Sequence, residues 1–166
     1  MDPKSLVTPR IVEYCKPLQL IFITGYTKSG KVTIARELSK QLENRTLLIS
    51  DSYIENYGHE EALNFLERDL NEHHYSSEPI IIEGILAFRL LRRMARNGYY
   101  LPDMVIKTEC NEETIKYFYL KEEPYKNLNS VFGFNRGLDK VWHETLNIIK
   151  QQNKKLPILT LNTSIY

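Results

Sequence analysis

Cysteine, long apolar runs and a dominant sign of charge are what this sequence has least of. Only Cys15 and Cys110 occur in 166 residues, without the spacing of a metal or redox motif. That argues against a disulfide framework and makes a reducing compartment the expectation. No run of about 18 apolar residues is present, so no membrane span is expected. Residues 1–17 lack the apolar stretch of about 7–15 residues that a secretory signal requires. Lys and Arg number 22 against 21 Asp and Glu, a net charge of +1, which gives no electrostatic footprint for nucleic acid or a membrane surface. The expected location is cytoplasmic, with no membrane or nucleic-acid partner. Internal repeats and low-complexity tracts are absent as well.

What is present is an ordinary globular balance, 42% hydrophobic and 26% charged, in a length suited to one domain with a good core. Residues 1–17 carry Pro3, Pro9 and Pro17 without a clear period and read as an N-terminal arm, leaving 18–166 as the domain. Apolar strands are predicted at 18–24, 46–50, 79–84, 104–108 and 157–161. Helices are predicted between them at 30–42, 60–72, 85–97, 112–122 and 138–151. In the first, Ile34, Leu38 and Leu42 share one face. Strands alternating with helices at this rhythm argue for an α/β fold whose parallel sheet is covered on both faces. Segment 123–137, EPYKNLNSVFGFNRG, keeps no period and is rich in turn formers, so it is read as a mobile lid.

The chemistry is concentrated after the first strand, in Gly25-Tyr26-Thr27-Lys28-Ser29-Gly30-Lys31-Val32-Thr33. Glycines bracketing a loop between a strand and a helix let successive backbone N–H groups face one anion. The helix adds its positive dipole end, and Lys31 adds a full charge near the β- and γ-phosphates of a nucleotide. The motif asks for Ser or Thr directly after the lysine, as a Mg²⁺ ligand, and here that residue is Val32. The hydroxyl of Thr33 comes one residue later, about 100° round the helix, and is not a simple substitute. Val32 therefore leaves catalytic competence open.

Two acids follow later strands and would face the same crevice. Asp51, in Ser50-Asp51-Ser52-Tyr53, could take a proton from a substrate hydroxyl, contact the substrate, or help hold a metal. Glu83, after Ile80-Ile81-Ile82, is a candidate for holding Mg²⁺ and for meeting substrate. Tyr53 could flank a flat ring in the acceptor. Arg136 is the first choice for a cation at the transition state, since such groups are expected from the lid. Arg89, Arg92, Arg93 and Arg96 share one helical face and read as a solvated or partner-facing surface. Trp142 reads as a packing anchor.

With ITGYTKSGKVT, ISDSYI, IIIEGILAF and LDKVWHETLNIIKQQ in order over about residues 18–161, the chain resembles the uridine kinase and nicotinamide riboside kinase branch of the P-loop kinases, with a divergent Walker A motif. The resemblance implies a three-layer αβα P-loop NTPase fold with five parallel strands and a short lid. It also implies ATP and Mg²⁺ as cofactors and a hydroxyl on a small nucleoside-like or sugar-like substrate as acceptor. On it, Lys31 matches the phosphate lysine, Asp51 the base and Glu83 the metal-linked acid. Two other classes stay open: a nucleotide-binding module that acts through a protein partner, and a kinase of a macromolecule. Assembly as a homodimer is left open too.

Overall fold

The isoleucine-rich runs form strands because their side chains divide between two apolar faces. In the computed structural model, which describes residues 2–165, β1 (Leu20–Gly25) lies at the centre of a five-stranded sheet. It is flanked by β3 (Ile80–Glu83) and β4 (Met104–Glu109), with β2 (Thr46–Ile49) and β5 (Ile158–Asn162) at the edges. Every pairing is parallel, in the order β2-β3-β1-β4-β5. Leu20, Phe22, Ile80, Ile82 and Val105 meet α3 (Ser50–Tyr75), α4 (Leu86–Asn97) and α6 (Leu128–Gln151) on one face. Ile21, Ile23, Ile81, Met104 and Ile106 meet α1 (Pro9–Cys15) and α2 (Lys31–Leu42) on the other. These are the three αβα layers that the sequence resemblance implies. Trp142 is buried, with its ring edge-on to Phe88. Among the described residues no helix is long and apolar enough to cross a membrane.

Four features depart from the sequence reading. The N-terminal arm is ordered: a 3₁₀ turn (Pro3–Leu6) leads into α1, whose N-cap Thr8 accepts a hydrogen bond from the Ile11 amide, and Val7, Val12 and Cys15 are buried beside α2. The stretch is too short and too broken by prolines for its apolar residues to set a readable period. Next, α3 starts at Ser50, so Asp51 lies in its first turn, where an acid favours the helix dipole. Gly58, at φ 78° and ψ 165°, breaks α3 into two arms.

The predicted lid is mostly helix. Asn127 caps α6 by accepting from the amides of Asn129 and Ser130, and the irregular part shrinks to residues 123–127. Burial of Val131, Leu138 and Trp142 along one side of α6 overrides the poor propensity of Gly133 and Gly137. Last, three of the four arginines on that face are paired within the fold, while Arg89 stays exposed. Arg92 and Arg96 both pair with Glu144 of α6, and Arg93 reaches Asn64 and Glu67 of α3.

The sheet brings its carboxyl ends together through two close approaches. At Gly84, just past β3, a Cβ would sit 1.8 Å from the Ser50 hydroxyl oxygen and 2.8 Å from its Cβ, at a φ of +129°. Steric conflict and backbone strain therefore act together there. Gly84→Ala is expected to lower the unfolding free energy by about 2–4 kcal/mol, read from urea denaturation. A loss below about 0.5 kcal/mol would mean that the approach of β3 to α3 is loose.

Candidate functional site

The loop after β1 owes its shape to two glycines and a left-handed lysine. A Cβ at Gly25 would lie 1.9 Å from the Thr108 hydroxyl and 2.7 Å from the Thr108 carbonyl, so only glycine lets β1 turn away beside β4. Lys28 takes a φ of +56°, and Gly30, at φ 79°, opens α2. Ser29 fastens the interior: its hydroxyl lies 2.6 Å from the Tyr26 carbonyl and 2.6 Å from the Thr108 hydroxyl. Lys31 Nζ donates to the Tyr26 carbonyl at 2.6 Å, folding the lysine back along its own loop.

A cavity of about 500 Å³ opens over this loop. Its walls include all of Thr27 to Thr33, together with Asp51, Glu83, Phe118, Tyr119, Glu122, Glu123, Thr163 and Ile165. Lys31, Asp51 and Glu83, read independently from three strand ends, thus share one space. Gly25 shapes the loop from outside the cavity lining, and Tyr26 contributes its carbonyl. Tyr53 faces elsewhere: it is buried, its hydroxyl donates to Asp69 at 2.5 Å, and it lines a separate recess at the β2 edge. Arg136 is exposed on α6 and is not among the residues lining the cavity. The cation expected from the lid is not delivered by that residue in this conformation.

Burial sets the electrostatics. Lys31 is 7% exposed and Glu83 2% exposed. Burial pulls the Lys31 pKa down, and the charges of Glu83 and Asp51 oppose that pull. Burial pushes Glu83 up to about 7, against the pull of Lys31, and Asp51 raises it further. Glu83 Oε2 is buried without a hydrogen-bond partner. A buried acceptor left open beside this glycine-bracketed loop fits a Mg²⁺ ion, which typically takes one or two carboxylates and completes its shell with phosphate oxygens and water. Among the described residues no three acids, histidines or cysteines converge, so Asp51 and Glu83 are a pair that needs a ligand's oxygens to complete such a shell.

The hold on the loop from above comes from residues that the sequence reading did not single out for it. Tyr26 donates its hydroxyl to Asp139 of α6, with oxygens at 2.7 and 2.6 Å. The Thr27 amide donates to Asn135 Oδ1 at 3.4 Å. Lys28 pairs with Glu122 and Glu123 at the end of α5 (Glu112–Glu122). The Lys28–Glu122 and Tyr26–Asp139 bonds span 94 and 113 residues of sequence, and no local pattern announces them.

No family model matches the sequence, and no curated protein is similar to it at a significant level. Among solved structures, thymidylate kinase from Candida albicans aligns over 89% of this chain and 84% of its own, at 16% identity and a TM-score of 0.51. The two share the three-layer αβα arrangement of the P-loop NTPase fold. Shikimate kinase from Bacteroides thetaiotaomicron aligns over 88% and 86% at 14% identity and a TM-score of 0.49. A possible uridine kinase from Bacillus stearothermophilus aligns over 68% and 91% at 16% identity and a TM-score of 0.39.

The state of Glu83 has a measurable consequence. Its folded pKa lies above its unfolded value, so the stability it contributes is full below the unfolded pKa and is lost as the pH rises through about 7. Thermal melts of the metal-free protein from pH 5 to pH 8 should show the wild type losing ground to Glu83→Gln as the pH rises toward about 7 and no further loss above it. Parallel curves for the two proteins would mean that Glu83 does not titrate there.

Proposed function

We propose that the protein is an ATP-dependent phosphotransferase that phosphorylates a hydroxyl of a small nucleoside-like or sugar-like molecule. The observation that carries this reading is the convergence of Lys31, Asp51 and Glu83 on the cavity walled by residues 27–33. Phosphoryl transfer demands positioning and charge neutralisation more than covalent chemistry, and those are what this arrangement offers. The amides of the loop and the α2 N-terminus grip the polyphosphate, and Lys31 leaves the Tyr26 carbonyl to meet it. Asp51 accepts the proton of the acceptor hydroxyl as that oxygen bonds to the terminal phosphorus and the bond to the nucleoside diphosphate breaks. Glu83, with Asp51 beside it, would hold Mg²⁺, which supplies neutralisation of phosphate charge when bound. The fold shared with thymidylate kinase supports a phosphotransferase reading. The uridine kinase-like motifs ISDSYI and IIIEGILAF favour a nucleoside-like acceptor.

A second reading, a nucleotide-binding module without transfer, is favoured by Val32 and by a cavity whose described lining contains no arginine. Three variants separate the two. Lys31→Ala should weaken nucleotide binding at least about tenfold by calorimetry, since a charge-assisted contact contributes about 1.5–3 kcal/mol. Asp51→Asn should bind metal-free nucleotide as the wild type does and lose about 10²-fold or more in kcat. Val32→Thr should raise turnover with Mg²⁺. A wild type that binds ATP equally with and without Mg²⁺, and turns over no nucleoside or sugar alcohol, would favour the binding module.

A further inference from the structure

The cavity has an unusual charge balance for a polyphosphate site. Its lining carries two cations, Lys28 and Lys31, against four carboxylates, Asp51, Glu83, Glu122 and Glu123. Lys31 is already engaged, buried between the loop carbonyl and the Glu83 and Asp51 charges. Lys28 is differently placed. Its ammonium donates to Glu122 Oε2 at 2.6 Å, lies 2.9 Å from Glu123 Oε2, and sits 5.5 Å from the centre of the Tyr119 ring. A lysine on the loop that should grip phosphate is therefore turned away from it, into a cradle of two acids and an aromatic face.

The cradle is shallow. The Lys28 side chain is 26% exposed, Glu122 49% and Glu123 27%. Exposed pairs of this kind contribute little and exchange readily, because water screens them and a flexible four-carbon stem lets the ammonium change partner. Loop geometry makes the exchange short. Lys28 stands at a left-handed turn three residues before Lys31, on the same wall of the same cavity. A polyphosphate lying along the loop amides presents oxygens with more charge than either carboxylate. When both acids lose their lysine they stay hydrated at the rim.

We infer that Lys28 is a switchable phosphate-binding residue, held by Glu122 and Glu123 while no nucleotide is bound and transferred to the terminal phosphate of the bound nucleoside triphosphate, so that the two carboxylates at the end of α5 set nucleotide affinity. This rests on the phosphotransferase reading of the same cavity. It supplies from within the loop the mobile cation that Arg136, exposed on α6, does not bring to the cavity. It also couples the loop to α5: filling of the site releases the end of α5 and the segment 123–127 that follows it.

The test is a thermodynamic cycle by calorimetry at fixed salt, using ADP and a β,γ-imido analogue of ATP. Lys28→Met keeps the stem and removes the charge; it should weaken binding of the triphosphate analogue about tenfold or more and of ADP distinctly less. Glu122→Gln with Glu123→Gln should tighten binding of the analogue several-fold, and that gain should shrink when Lys28→Met is added. An analogue affinity unchanged by Lys28→Met, or a carboxylate gain undiminished without Lys28, would overturn the inference. Simple repulsion between the acids and the nucleotide produces the second of those outcomes. Should Lys28→Met fail to fold, Lys28→Gln, which also removes the charge, takes its place in the same cycle. Lys31→Ala run in parallel keeps the two ideas apart: loss of binding there with no effect of Lys28→Met refutes only the switch, whereas no effect of either variant refutes the loop itself.

Discussion

The site depends on one buried ammonium. Lys31 is 7% exposed, and a charge so far from water must be matched by oxygens or it loses its proton. Three groups supply that match: the Tyr26 carbonyl at 2.6 Å, Glu83 and, with a smaller influence, Asp51. The match is incomplete, since Glu83 keeps one oxygen without a partner and is itself pushed toward its neutral form by burial. A pair of buried ionisable groups that each favour neutrality is a poor source of stability. It is a good receptor for a ligand that brings both anionic oxygens and a cation. The sheet makes the arrangement by aligning Glu83 opposite Ile23 and Ile49 in register, two residues short of Gly25 and of Asp51 respectively.

Above that core, α5 and α6 take the part that a separate lid would play. Tyr119 and Val131 form a small apolar cluster with Cys110 and Ile115, and Tyr26 packs against it. Asn135 and Asp139 then reach the loop by hydrogen bonds. The outer wall of the loop is thus a packed helix rather than a flap, and the irregular part is the short stretch 123–127. Asn135 Nδ2 is buried without a partner, a second polar group left unsatisfied beside the loop. Of the two, only Glu83 lines the cavity, so its open oxygen is the one that points to a ligand there.

How much of this is written in local sequence differs by element. The strands, α2 and α4 are legible because burial on both faces of a parallel sheet demands continuous apolar runs, and because Ile34, Leu38 and Leu42 repeat at helical spacing. The loop is legible because its glycines and lysine are required by anion geometry. Lys31, Asp51 and Glu83 could be placed together since each follows a strand, and parallel strands end on one edge. What was not legible is everything fixed by tertiary contact. The start of α6 hides behind Asn127, Asn129, Gly133 and Gly137, residues that favour turns until Val131 and Leu138 are given a core to enter. The arginines of α4 look like a solvated face until Glu144 and Glu67 are brought opposite them. Tyr53 follows Asp51 in the chain, yet a helix beginning at Ser50 turns it toward Asp69 and away from the cavity.

Val32 and the acid-rich lining are physically linked. A Ser or Thr after the phosphate lysine contributes one neutral oxygen to a metal shell; valine contributes none. Under the proposed function a metal would then rest on Glu83 and Asp51, whose charges would stand in for the missing neutral oxygen. The consequence is a site more negative than the loop alone would make it, and hence more repellent to a polyphosphate that arrives without its metal. A loop lysine that can be shared between the rim acids and the phosphates offsets that repulsion only when the nucleotide is present. On the inference drawn for Lys28, the valine at position 32 and the pairing of Lys28 with Glu122 and Glu123 would be two parts of one balance, with the rim acids holding a cationic charge in reserve until a ligand draws it in.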